Sequence, residues 1–155
     1  MSFGTGWSLP TEGLSLLLDA GNVKSYPGSG TTWFDLSGNG NDGTLTNGPT
    51  FNSEGFISFD GTNDCVEVAD DVTLRIHNDG ITYGCWLRKD SGNAYDYYMK
   101  KTSEYMLRTP NDSEGGDLEG FVYVDVNGDG SVQAEPRVQT GQNLADDTWT
   151  FVMGT

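Results

Sequence analysis

The sequence predicts an all-β, antiparallel sandwich. Its apolar residues fall in many short runs, several of them alternating with polar residues at the two-residue period of a strand. Clusters of Gly, Asn, Asp and Pro separate these runs, as turns separate strands. No stretch carries a convincing helical period, and Asp70 to His77 holds at most a turn.

A chain of 155 residues is the size of one ordinary domain and can bury a real core. Hydrophobic content is 35% and glycine is abundant, at 22 residues. Trp33, Trp86 and Trp149 nonetheless sit inside apolar runs, which disordered chains lack. Residues 1–12 have no periodicity and read as a tail or connector, leaving 13–155 as the domain. The start Met1-Ser2-Phe3-Gly4 has neither the basic nor the apolar region of a signal peptide. Leu16-Leu17-Leu18 is too short to cross a bilayer. The expectation is a soluble protein made in a host cytoplasm, with no membrane partner.

The elements follow in order. Leu14 to Asp19 is the first apolar run, ending at Ala20-Gly21-Asn22. A polar stretch, Ser25 to Thr32, leads to Trp33-Phe34-Asp35, and residues 37–49 are almost pure turn chemistry. Gly55 to Phe59 and Cys65 to Val68 read as strands, Val66 and Val68 sharing a face. Ile81 to Arg88 puts Tyr83, Cys85 and Leu87 on one side and Trp86 on the other. Such a strand is expected to be buried on both faces, with Trp86 and Trp149 in the core. Tyr95 to Lys100, Glu104 to Arg108, Phe121 to Val126 and Thr148 to Met153 complete the set.

Four of these segments resemble the laminin-G-like, concanavalin A-like jelly-roll domains. They are Leu16-Leu17-Leu18-Asp19 with Trp33 to Thr44, Phe59-Asp60-Gly61-Thr62-Asn63-Asp64-Cys65-Val66, Ile81 to Leu87, and Asp147 to Thr155. The wording from Leu18 to Pro49 also resembles structural proteins of bacteriophages, notably those of marine and cyanobacterial hosts. The resemblance implies a jelly roll and a non-catalytic role. It also implies strands beyond the segment ending in Gly154-Thr155, so the sandwich is expected to be incomplete at its C-terminus. A strand as apolar as Trp149 to Met153 should not stand at an open edge. The missing strands are then expected from a longer chain or from neighbouring subunits in an oligomer. This departs from the family where Cys65 and Cys85 stand. These two cysteines have no CxxC spacing, so they read as free thiols or one disulfide.

The charge excludes one class of partner. With 8 basic and 23 acidic residues the net charge is −15, which repels phosphate backbones, so no nucleic acid is expected. The same acids raise the question of Ca²⁺. Asp35, Asn39, Asn41 and Asp42 line a Gly/Asn loop able to turn side-chain and carbonyl oxygens toward a hard cation, or to form a bare turn. In family relatives this loop helps bind a structural Ca²⁺. Asp125, Asn127 and Asp129 alternate like the ligands of a Ca²⁺ loop. Pro136 stands where an EF-hand needs its bidentate Glu, so a hairpin turn between Val126 and Val132 is the simpler reading.

Tyr95, Tyr97 and Tyr98 either stack on sugar rings or pack in the sheet. The paired carboxylates of glycosidases with this fold are missing, since Asp117-Leu118-Glu119 lacks a third acid. The sole histidine, His77, has no nucleophile in a recognisable setting. The function expected is therefore a non-enzymatic virion module at the particle surface, a capsid decoration protein or tail-fibre component. It would bind other virion proteins or its own copies. The alternative is an adhesion module that binds host-cell glycans, with structural Ca²⁺ as the one cofactor considered.

Overall fold

The structure is a computed structural model that describes residues 12–75, 80–90, 96–109, 118–122, 137–139 and 144–155. It is all-β, with every described strand pair antiparallel and one 3₁₀ turn as the sole helical element among the described residues. The chain divides into two compact units, Met1–Arg75 and Ile76–Thr155.

In the first unit, β1 (Thr32–Trp33), β2 (Gly43–Thr46) and β5 (Cys65–Val68) form one sheet in the order β1-β2-β5. Leu45 stands opposite Val66 in its register. β3 (Thr50–Asn52) and β4 (Phe56–Ser58) form a hairpin. Its loop is closed by Gly55 N–H donating to the Asn52 carbonyl at 2.9 Å, and Gly55 takes the positive φ such loops require. The aromatic centre is Tyr26, buried between Phe51 at 5.2 Å and Trp33 at 6.4 Å between ring centroids. The 3₁₀ turn, Val72–Leu74, is capped by the Asp71 carboxylate accepting from Thr73 N–H.

Two expectations for this unit are corrected. Leu14 to Asp19 joins no ladder; its backbone groups are met by loop side chains, as described below, and by the Leu36 and Asn22 N–H groups, which donate to the Leu17 and Asp19 carbonyls. Residues 37–49 are not all turn, since β2 begins at Gly43. The turn residues there hide a strand only four residues long.

In the second unit, β7 (Tyr97–Lys101), β8 (Tyr105–Arg108), β9 (Glu119–Val122) and β10 (Arg137–Gln139) make a four-stranded sheet in the order β10-β9-β8-β7. β6 (Tyr83–Arg88) and β11 (Trp149–Gly154) pair along their whole length, from Tyr83 opposite Gly154 to Arg88 opposite Trp149. The two sheets pack face to face around Tyr83, Tyr105, Leu107, Leu118 and Val152. Tyr83 spans the layers, its ring 5.3 Å from that of Tyr105 and its hydroxyl donating to the Met106 carbonyl at 3.0 Å.

Alternation along β6 and β11 decides which residues enter that core. Tyr83, Cys85 and Leu87 face inward with Val152, as the sequence pattern requires. Trp86 does not enter a core: it is 67% exposed, and Trp149 is 44% exposed. The expectation of burial on both faces fails because, within this unit, the described residues supply a second layer on one face alone. Cys65 and Cys85 are both free thiols.

Candidate functional site

Asp35 is the centre of a hydrogen-bonded knot. One carboxylate oxygen accepts from Leu17 N–H at 2.9 Å and Ser37 N–H at 2.8 Å. The other accepts from the Ser37 hydroxyl at 2.6 Å and Asn41 N–H at 3.1 Å. Asn39 donates its amide to the carbonyls of Leu14 and Ser15, and Asn41 donates to Ser15 and to Thr73 Oγ1. Asp42 accepts from Asp35 N–H at 2.8 Å. Partial burial alone would raise the Asp35 pKa; the Ser37, Leu17 and Asn41 hydrogen bonds outweigh it and hold the carboxyl below the ordinary value.

This geometry does not fit a hard cation. The Asp35 oxygens receive donors, and the Asn39 and Asn41 amides turn their N–H groups, not their oxygens, toward the neighbouring strand-like segment. Three of the four residues proposed as ligands, Asp35, Asn39 and Asn41, bond the backbone of Leu14 to Leu17 in place of a ladder, and Asp42 braces Asp35. Among the described residues no group of three or more His, Cys, Asp or Glu side chains is placed to hold an ion. Asp125, Asn127 and Asp129 lie outside the described residues, as do His77 and Tyr95.

The remaining tyrosines separate. Tyr97 is exposed, with the Lys100 ammonium 4.7 Å over its ring. Tyr98 turns inward against the core, and burial pushes its phenol up to about 12, the Thr109 hydroxyl drawing it back only in part. A bulge between Tyr97 and Met99 accompanies the change of side. The two do not make a joint platform. Glu119, the acid nearest to a hydrolase pattern, is fully buried opposite Arg108, whose Nε and Nη2 donate to one of its oxygens at 3.3 and 3.2 Å. That ion pair is structural. A shallow cleft of about 270 Å³ beside Tyr26, Pro27 and Phe51 carries one carboxylate, Glu54, next to Ser53.

The outer face of the β6–β11 ladder is a different kind of surface. The register places Trp86 against Phe151 and Arg88 against Trp149, with Met153 against Gly84. The Trp86 and Phe151 ring centroids are 5.4 Å apart, and the Arg88 guanidinium lies 5.4 Å from the Trp149 ring centre. Thr82 and Thr155 hydroxyls meet at 3.0 Å at the far end. Phe151 and Met153 are 50% and 58% exposed. A Cβ at Gly84 would stand 2.6 Å from the Val152 carbonyl oxygen, so no side chain can shield Met153 from its opposite strand.

The alternation rule did carry this face. Trp149, Phe151 and Met153 share one side of their strand in the bare sequence, and Trp86 opposes Tyr83, Cys85 and Leu87. What misled was the assumption that so apolar a side must be covered. Searches against known protein families, curated proteins and solved structures find no match for the chain.

Proposed function

We infer that the chain is a non-enzymatic attachment module, of the kind that decorates or tips a virion, and that it attaches through the outer face of the β6–β11 ladder. One observation carries this reading: Trp86, Trp149, Phe151 and Met153 stand together in water on one strand pair. Covering such side chains is worth roughly 1.5–3 kcal/mol each, so the face is a standing drive toward contact. Aromatic residues, Met and Arg are also the types enriched at the centres of protein interfaces. The virion setting rests on the resemblance of residues 18–49 to phage structural proteins. The commitment of Glu119 to Arg108 supports the non-enzymatic part.

Adhesion tests the reading. Beads coated with the chain, or with its Trp86→Ser/Phe151→Ser variant, are incubated with bacterial cells and with purified virion proteins. Retention by the parent that is lost in a variant of unchanged circular dichroism supports the assignment. Equal retention by both, or retention by neither, overturns it.

A further inference from the structure

Resting on that attachment face, we propose that its occupant is a segment of another protein that carries apolar or aromatic residues flanked by lysine or arginine. Size and charge both argue for this. Aromatic side chains cover about 150–250 Å² each, so the exposed fractions of Trp86, Trp149, Phe151 and Met153 sum to on the order of 400 Å². A stable pair of globular partners needs roughly 800 Å² from each side. The face is half of that, and suits a short segment better than a second folded surface.

Charge excludes the most economical partner, a second copy. Each copy carries −15, so two would approach against their own repulsion to share an undersized patch. The same field draws in a cationic segment. At the Arg88 end of the ladder the turn carries Asp146 and Asp147, both exposed, and Lys89 is already bridged to Asp146 at 3.5 Å. A basic flank beyond Trp149 meets the exposed Asp147 carboxylate there and competes with Lys89 for Asp146, while the apolar centre meets Trp86 and Phe151.

The two features then do separate jobs. The acidic field sets how fast the segment arrives, and the four side chains set how long it stays. This division is measurable with two synthetic peptides of the same Leu/Phe centre, one flanked by Lys and one by Glu. Surface-immobilised chain should bind the Lys peptide, with an association rate that falls about tenfold or more between low and high salt. Trp86→Ser/Phe151→Ser should raise its dissociation rate about tenfold or more and leave the association rate nearly unchanged.

Equal binding of the Glu peptide overturns the proposal, as does Lys-peptide binding that the double variant leaves intact. So does occupation of the face by something else: a Trp86-dependent dimer in sedimentation, or Trp86-dependent retardation by an uncharged β-glucan in a gel. If the beads lose adhesion in the double variant while the Lys peptide does not bind, the attachment face stands and the occupant proposed for it falls.

Discussion

The ring of Tyr83 lies directly over Gly154, so that a Cβ on Gly154 would stand 2.7 Å from Cζ and 2.8 Å from the hydroxyl oxygen. The two residues are register partners in the β6–β11 ladder, and the missing side chain is what lets the phenol cross to the Met106 carbonyl.

Gly154→Ala should therefore displace Tyr83 and open the core it shares with Tyr105 and Leu107. Overpacking of this kind costs about 1–3 kcal/mol, read as a lower urea midpoint. Tyr83→Phe in the same background should recover part of the loss, because it removes the atom at 2.8 Å.

Arg108→Met should be the more damaging change in the four-stranded sheet. It takes the guanidinium away from a Glu119 carboxylate held at zero exposure, and breaking a buried pair in this way costs about 3–5 kcal/mol. The double change Arg108→Met/Glu119→Leu should restore most of that stability. A double variant as unstable as the single one would show the pair to be needed for itself.

Asp35→Asn keeps the shape of the knot and removes its charge, and should cost about 2 kcal/mol at neutral pH. The sign of its pH dependence follows from the lowered pKa: the folded chain favours the carboxylate. The stability from Asp35 is full above the ordinary aspartate range and is lost as pH falls from about 4 through the lower folded value. Acid titration of stability should be shallower in the variant over that window.

Much of the ladder pattern was legible before any coordinates. Cys65 to Val68 is β5 as read, and the alternation of Tyr83, Cys85 and Leu87 gave the inner face of β6 correctly. Three things were not legible, each for a physical reason. The strand Gly43–Thr46 opens on glycine within turn residues, and nothing local marks it. Leu14 to Leu17 looks like a strand because it is apolar, yet its partners are the Asp35, Asn39 and Asn41 side chains and the Leu36 amide of one loop, not a neighbouring strand. Whether a face is covered depends on what packs over it, and a strand's own residues do not record that. Trp86 is the plain case.

Tyr98 should titrate far outside the range of the exposed tyrosines. Burial holds its phenol neutral up to about 12, so the stability it lends is present below pH about 10 and disappears as pH rises from there. The Thr109 hydroxyl beside it lies outside good hydrogen-bond geometry and offsets only part of that shift. Tyr98→Phe should therefore cost less than about 1 kcal/mol and flatten the alkaline arm of the stability curve.

A chelator should leave the melting temperature unchanged, since donors already occupy the Asp35 oxygens. A fall that Asp35→Ala does not abolish, and Asp129→Ala does, would place a cation in the second loop.

The knot around Asp35 also works as a clock. Asn39 is followed by Gly40, a pair in which the glycine nitrogen attacks the side-chain amide, ammonia leaves, and water opens the ring to a carboxylate. While Asn39 Nδ2 is held by Leu14 O at 2.9 Å, Ser37 Oγ at 3.1 Å and Ser15 O at 3.2 Å, that amide is kept from the approach the reaction needs. Each local opening releases it. Once converted, residue 39 turns an acceptor toward two carbonyls and sets a second negative charge near Asp35, so the loop cannot close as before. The age of this loop is then told by how often its turn comes undone, beside whatever the two other Asn-Gly pairs, Asn47-Gly48 and Asn127-Gly128, contribute.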